Sequence, residues 1–251
     1  MKLKAINGRW VIWTTNAIAD WDGLTGDPAL DSGWEACRFR SMHRHLVYGD
    51  TFFDIGTEHG SISTVIAREF VGAENMVLFE PSSEFWPNIA KHWNFNGLAK
   101  PLGFWDGFVG EVSSPDIYLS TDWPGGSDDM RLPETDGMAY RHLARPGEIQ
   151  TISLDDYTKI SGVCPNAINI DVEGAEMLVL KGSTKLLTSS DNDSLKWVWV
   201  SIHPDLMIRD FDNTKQELLE FMSSLGWQAE YLGTDHEEHY LFERISNLNV
   251  S

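Results

Sequence analysis

The chain has 251 residues, 42% of them hydrophobic and 23% charged. That suits one folded core with an extension and excludes a disordered or collagen-like chain. Nineteen Lys and Arg against 38 Asp and Glu leave a net charge of −19, so bare nucleic acid and an anionic membrane surface are poor partners.

Residues 1–10 carry no charged-plus-apolar signal pattern, and apolar runs such as 197–200 are too short to span a bilayer, so the expected location is cytoplasmic. Across residues 1–49, Asp22-Gly23, Gly26-Asp27-Pro28 and Ser32-Gly33 interrupt every periodic pattern. This stretch reads as an irregular N-terminal extension, a cap for an acceptor site, ahead of a main domain over 50–251. The two cysteines, Cys37 and Cys164, have neither CxxC nor zinc-type spacing and read as free thiols.

From residue 51 short apolar strands alternate with longer helical patterns, the mark of βαβ units and a parallel sheet. A strand over 51–55 stops at Gly56, and a helix follows over 61–70. A second strand over 76–79 ends at Glu80. Pro81-Ser82-Ser83 then opens a helix through Phe85, Ile89 and Trp93, closed by Asn96-Gly97.

Residues 107–148 form an inserted irregular segment punctuated by Trp123-Pro124-Gly125-Gly126, Leu132-Pro133 and Arg145-Pro146-Gly147. A loop of that length in a compact domain is usually functional, and it is expected to form the acceptor lid, with the indoles of Trp105 and Trp123 as flat platforms for a sugar. Regularity returns at 151–154. Next come a strand over 167–171, a helix over 174–187, a strand over 197–202 and a helix over 213–225. The runs 227–232 and 239–242, too close for a crossover helix, make an antiparallel C-terminal hairpin. The fold class is therefore α/β, a Rossmann-like, mostly parallel sheet.

Ligands of such sheets bind beyond the carboxyl ends of the strands. The first strand ends in Asp54-Ile55-Gly56-Thr57-Glu58-His59-Gly60, whose glycines let backbone amides approach a ligand. Glu80 ends the second strand 26 residues beyond Asp54, near where a dinucleotide-type fold presents an acid to ribose hydroxyls. A carboxylate accepts both protons of a diol and repels a 2′-phosphate.

Three stretches resemble the FkbM-type methyltransferases, a branch of the class I S-adenosylmethionine-dependent enzymes. They are Phe53-Asp54-Ile55-Gly56 with Gly60 and Glu80; Thr151-Ile152-Ser153-Leu154-Asp155-Asp156-Tyr157; and Ile170-Asp171-Val172-Glu173-Gly174-Ala175-Glu176 followed by Leu178, Leu180, Lys181 and Gly182. The resemblance implies S-adenosylmethionine as cofactor, lined by Asp54, Gly56, Thr57, Gly60, Glu80, Pro81 and Asp171, with Glu80 on the ribose. It also implies an adenine pocket at Phe104, Trp105 and Asp106. The chain departs from the family pattern at Thr57-Glu58, where Ala-Asn is common, and at Ser201, where a Glu commonly stands two residues before His203.

Asp171, Glu173 and His203 should meet at the edge of adjacent strands, where a methyl acceptor must lie. His203 is the candidate general base for an acceptor hydroxyl, with Asp171 and Glu173 orienting that hydroxyl. A hard divalent ion would suit the acids, but three candidate ligands without defined geometry select no metal, and His236 and His239 with Glu237 and Glu238 read as a solvated hairpin turn. The leading expectation is an O-methyltransferase acting on a sugar, glycan or small metabolite. A nicotinamide-dependent oxidoreductase lacks its G-x-G-x-x-G here, and a noncatalytic binding protein is the third reading.

Overall fold

The computed structural model describes residues 2–6, 9–13, 36–117, 119, 123, 149–189, 194–234 and 237–245. Lys2–Ile6 (β1) and Arg9–Trp13 (β2) pair as an antiparallel hairpin. A seven-stranded sheet then organises the chain. Its strands are Phe52–Ile55 (β3), Met76–Phe79 (β4), Gly103–Trp105 (β5), Ala167–Ile170 (β8), Trp197–Ile202 (β9), Trp227–Thr234 (β10) and Glu238–Arg244 (β11), in the spatial order β10-β11-β9-β8-β3-β4-β5. Phe108–Val109 (β6) and Thr151–Ile152 (β7) form a separate short parallel pair. The antiparallel hairpin expected at the C-terminus is present, but its second strand, β11, inserts between β9 and β10 and alone runs against the others.

The central strands are buried along almost their whole length because both faces of the sheet are covered, and their polar members Asp54, Asn169 and Ser201 lie on one face. Phe53, Ile55, Val77, Phe79, Ile168, Ile170, Val198 and Val200 face a cluster with Leu154, Val179, Leu180 and Leu218. These come from the helices Leu154–Ser161 (α4), Glu176–Lys181 (α5) and Lys215–Ser224 (α8). Phe52, Met76, Leu78, Ala167 and Trp199 face the other way, against Phe39, Met42, Val65 and Ile89. Those four come from Ala36–His45 (α1), Ser61–Ile66 (α2) and Trp86–Phe95 (α3). The alternation follows from the period-2 pleat of a strand.

Several elements differ from the sequence expectation for identifiable reasons. Within residues 1–49, 36–45 are helical, and Phe39, Met42 and Leu46 of that stretch belong to the core. Residues 83–85 form a turn, so α3 starts at Trp86 with Pro87 in its first turn. The helix expected over 174–187 is split into α5 and Thr184–Thr188 (α6) at Gly182. A Cβ there would stand 2.0 Å from the Gly110 carbonyl oxygen. Pro204 opens a helix, Pro204–Phe211 (α7), between the expected strand over 197–202 and the expected helix over 213–225, where no element was expected. Most of the expected lid, 107–148, and of the N-terminal cap lies outside the described residues. No helix among the described residues is long and apolar enough to cross a membrane. Among the described residues Cys37 and Cys164 form no disulfide.

Candidate active site

After β3 the chain proceeds through β4 and β5 on one side and later through β8 and β9 on the other, so the order reverses between β3 and β8. That reversal opens a crevice at the strands' carboxyl ends. Gly56 sits in it with φ +87°, and a Cβ at this position would lie 1.7 Å from the Asp171 carbonyl oxygen. Only glycine lets the loop pass. The Gly56 and Thr57 amides donate to the Phe79 carbonyl at 3.0 and 3.1 Å, which ties the loop to the end of β4. Gly60, also left-handed, packs its backbone against Ile89 and precedes α2.

Two acids end the first strands, and their surroundings differ. Asp54 is buried: Asn169 Nδ2 donates to it at 2.8 Å and the Ser63 hydroxyl donates to its other oxygen. Burial raises its pKa against these bonds. Its two oxygens thus tie β3 to β8 and to α2 from inside the fold. Glu80 accepts the Glu58 amide on Oε2 and the Ser82 amide on Oε1, both at 2.8 Å. At 4% exposure its carboxyl is pushed up to about 7, the desolvation outweighing both amide bonds. One amide on each oxygen leaves acceptor capacity for a vicinal diol.

Around Glu80, Pro81 is half-buried, Asp106 is exposed, and Phe104 is half-buried in edge-to-face contact with Trp86 and Trp123 at 5.7 Å each. Trp105 requires a correction. It is 2% exposed within the core, with its indole N–H donated to the Phe108 carbonyl, so it offers no flat face to adenine or sugar. His59, in the glycine loop, is buried against Asn88 and Phe85, and desolvation lowers it to about 4, which keeps it neutral.

Across the crevice the polar residues share one face by pleat parity. Asp54, Asn169 and Ser201 occupy the side of the sheet covered by α1, and Arg38 of α1 enters there fully buried. Its Nη1 donates to Ser201 Oγ at 2.6 Å, Asn169 Oδ1 at 3.1 Å and Asp171 Oδ2 at 3.1 Å. Ser201, which replaces the family's common Glu, is thus filled in by Arg38 and by His239 Nδ1 at 3.0 Å.

His203 follows β9 and caps α7. Its Nδ1–H donates to Glu176 Oε1 at 2.7 Å, and the same oxygen accepts the Gly174 amide at 2.9 Å. Nε2 faces Glu173 Oε2 at 3.6 Å, Asp171 Oδ1 at 3.8 Å and Glu237 Oε2 at 4.0 Å. Asp171, Glu173 and His203 therefore do meet. Desolvation alone would lower the imidazole, but the Glu176 bond and the charges of Asp171, Glu176 and Glu173 outweigh it and push it up to about 9. The expectation of a resting general base needs revision, since a ring that holds its proton at neutral pH has no free lone pair at Nε2.

Arg38, Glu176 and Glu237 are the members that sequence reasoning missed. The apolar spacing of Phe39, Met42 and Leu46 was the available signal for the helix bearing Arg38. Glu237 is buried against His203, not solvated in a turn, because β11 begins beside the carboxyl end of β9, with Glu238 opposite Ile202. Of its neighbours, Glu238 pairs with Lys215 at 2.9 Å, His239 is buried, and His236 lies outside the described residues.

A mostly parallel sheet with one inserted antiparallel strand, carrying a glycine loop and a strand-end acid at its reversal point, defines a class I methyltransferase fold. The model of the methyltransferase FkbM domain matches residues 54–227, and the chain belongs to that family of S-adenosylmethionine-dependent methyltransferases. Among solved structures it is similar to an FkbM methyltransferase from Methylobacillus flagellatus KT, with 16% identity over 78% of this chain and 43% of that one and a TM-score of 0.47. An rRNA methylase from Streptococcus thermophilus matches with 11% identity over 83% and 95% of the two chains, TM-score 0.46. Sp1610 from Streptococcus pneumoniae, solved with S-adenosyl-L-methionine, matches with 11% identity over 85% and 75%, TM-score 0.44. This chain thus spans less than half the length of the Methylobacillus protein. No curated protein sequence matches it.

Proposed function

We propose that the protein is an S-adenosylmethionine-dependent O-methyltransferase whose acceptor is a hydroxyl of a sugar, glycan or small metabolite. The observation that carries the reading is the pairing of two unlike edges across one crevice. On one side are the Gly56 loop and the buried, diol-competent Glu80. On the other is the polar edge of Asp171, Glu173 and His203.

The cofactor supplies a methyl group activated on a sulfonium. The chain's own residues then have three tasks. Glu80 accepts the ribose hydroxyls while the amides of Glu58 and Ser82 hold its carboxylate in place, and Gly56, Thr57, Gly60 and Pro81 shape the surrounding wall. Phe104 and Asp106 at the end of β5 offer an adenine an apolar face and an acceptor. Asp171 and Glu173 receive the acceptor hydroxyl and its proton. The charged His203, fixed by Glu176, stabilises negative charge growing on that oxygen. Asp54 acts as a positioning residue through Ser63 and Asn169.

The test is transfer of labelled methyl from S-adenosylmethionine to a panel of sugars, nucleotide sugars and small polyols. His203→Ala should lower the rate by roughly a hundredfold, the loss expected of a charge-stabilising donor, while S-adenosylhomocysteine affinity stays as in the wild type. Full turnover by the variant on an acceptor used by the wild type would remove this edge from the acceptor site.

A further inference from the structure

Arg38 stands on α1, ahead of residues 54–227 that the FkbM model matches, and it reaches the site from the covered side of the sheet. Its helix holds it firmly. Phe39, Met42 and Leu46 lie in the core, the Ser41 hydroxyl accepts the Trp199 indole N–H at 3.0 Å, and the His45 ring lies 4.4 Å from that of Trp197. A guanidinium this deep is not accounted for by stability alone, because exchanging a buried ion pair for well-packed apolar groups is often neutral or favourable.

The three bonds of Nη1 differ in where they end. Asn169 and Ser201 lie within β8 and β9, whereas Asp171 reaches the crevice, with 17% of its side chain exposed. The backbone of Asp171 is fixed: its amide donates to the Ile55 carbonyl at 2.9 Å, and its own carbonyl closes on Gly56. Its carboxylate is then oriented by what each oxygen meets. Arg38 takes Oδ2 at 3.1 Å, which leaves Oδ1 facing His203 Nε2 at 3.8 Å, an ion pair too long for a direct hydrogen bond. Untethered, the carboxylate would turn and close on the imidazolium, since opposite charges attract more steeply as they approach where water is scarce.

We propose that Arg38 is a positioning residue of the active site, which turns Oδ2 of Asp171 inward and holds Oδ1 toward the crevice at a set distance from His203. The helix α1 is thereby part of the catalytic unit although it precedes the matched domain. Through Asn169, which donates to Asp54 at 2.8 Å, the same guanidinium also braces the strand that leads into the glycine loop. The consequence for methyl transfer rests on the proposed acceptor edge, whereas the placement of Asp171 does not.

The experiment is NMR of the nitrogen-15-labelled full chain, following the Arg38 side chain and the titration of the His203 ring. In the wild type the Arg38 Nη resonances should be resolved and slow to exchange, and Asp171→Asn should displace one of them. Arg38→Met should raise the His203 titration by at least about half a pH unit, because Asp171 loses a compensating charge and gains freedom to approach. With Asp171→Asn already present, Arg38→Met should move it less than half as far. Glu173, Glu176 and Glu237 face the same ring and are unchanged in every variant. An Arg38 side chain averaged like a surface arginine, or insensitive to Asp171→Asn, overturns the proposal even if Arg38→Met fails to fold. So does a His203 titration that Arg38→Met leaves in place, or moves equally with and without Asp171. On an acceptor used by the wild type, kcat of Arg38→Met should fall at least about tenfold with S-adenosylhomocysteine affinity unchanged. A full rate beside a displaced His203 titration would instead overturn the proposed acceptor edge and leave the placement of Asp171 standing.

Discussion

Glu80 couples cofactor binding to pH in a direction fixed by its surroundings. Its carboxyl sits at about 7 in the folded chain against an ordinary 4.5, with burial as the main cause. Below about pH 4.5 it is protonated folded and unfolded alike. Between 4.5 and 7 the folded chain keeps a proton that the unfolded chain releases, so stability falls as pH rises through this window. The loss totals about 3 kcal/mol. A ribose diol donates two hydrogen bonds and so selects the ionised form. Adenosine affinity should therefore be level above about pH 7 and decline below it, by up to about a hundredfold at pH 5. Adenosine suits the assay because it carries the diol without the titrating amino-acid end of the cofactor. Calorimetry from pH 5 to 8 on the wild type and on Glu80→Gln reads the effect directly. In the variant the slope should vanish and affinity should stay low at every pH. Melting must be followed alongside, since the new NH2 group faces one of the two amides that Glu80 accepts. A level wild-type profile, or a slope that survives in Glu80→Gln, refutes the assignment of Glu80 to the ribose.

Two substitutions in the glycine loop test its geometry. Gly56→Ala drives a Cβ into the Asp171 carbonyl from a left-handed backbone, and denaturant unfolding should register a loss of at least about 2 kcal/mol together with lost S-adenosylhomocysteine binding. Glu58 occupies φ +49° with an exposed side chain, so Glu58→Asn should raise stability by about 0.5–1 kcal/mol. An unchanged or lower stability would show that the Glu58 side chain compensates for its backbone.

The sheet was legible because β4 is an uninterrupted apolar run and β9 is broken only by Ser201, and a strand covered on both faces has that signature. The placement of Gly56 and Glu80 at the carboxyl ends of β3 and β4 was legible because breakers mark where those strands stop. Arg38 was not, since a positive charge near the N-terminus carries no sign that it will be buried under the sheet 133 residues away from Asp171. Glu237 was hidden by topology: its burial depends on β11 inserting beside β9, which strand spacing alone does not encode. The break between α5 and α6 arises from Gly182 meeting Gly110, a long-range contact invisible to local periodicity. Asp54 read as a ligand from its strand-end position; its bonds to Ser63 of α2 and Asn169 of β8 were not legible, because they join residues brought together only by the fold.

The central claim is that the crevice beside Gly56 and Glu80 holds S-adenosylmethionine and not a nicotinamide dinucleotide. Calorimetry of the purified protein with S-adenosylhomocysteine and, separately, with NAD tests it most directly. The account predicts saturable one-to-one binding of S-adenosylhomocysteine, weakened in Glu80→Gln, and no heat with NAD. Binding of NAD without S-adenosylhomocysteine would contradict it.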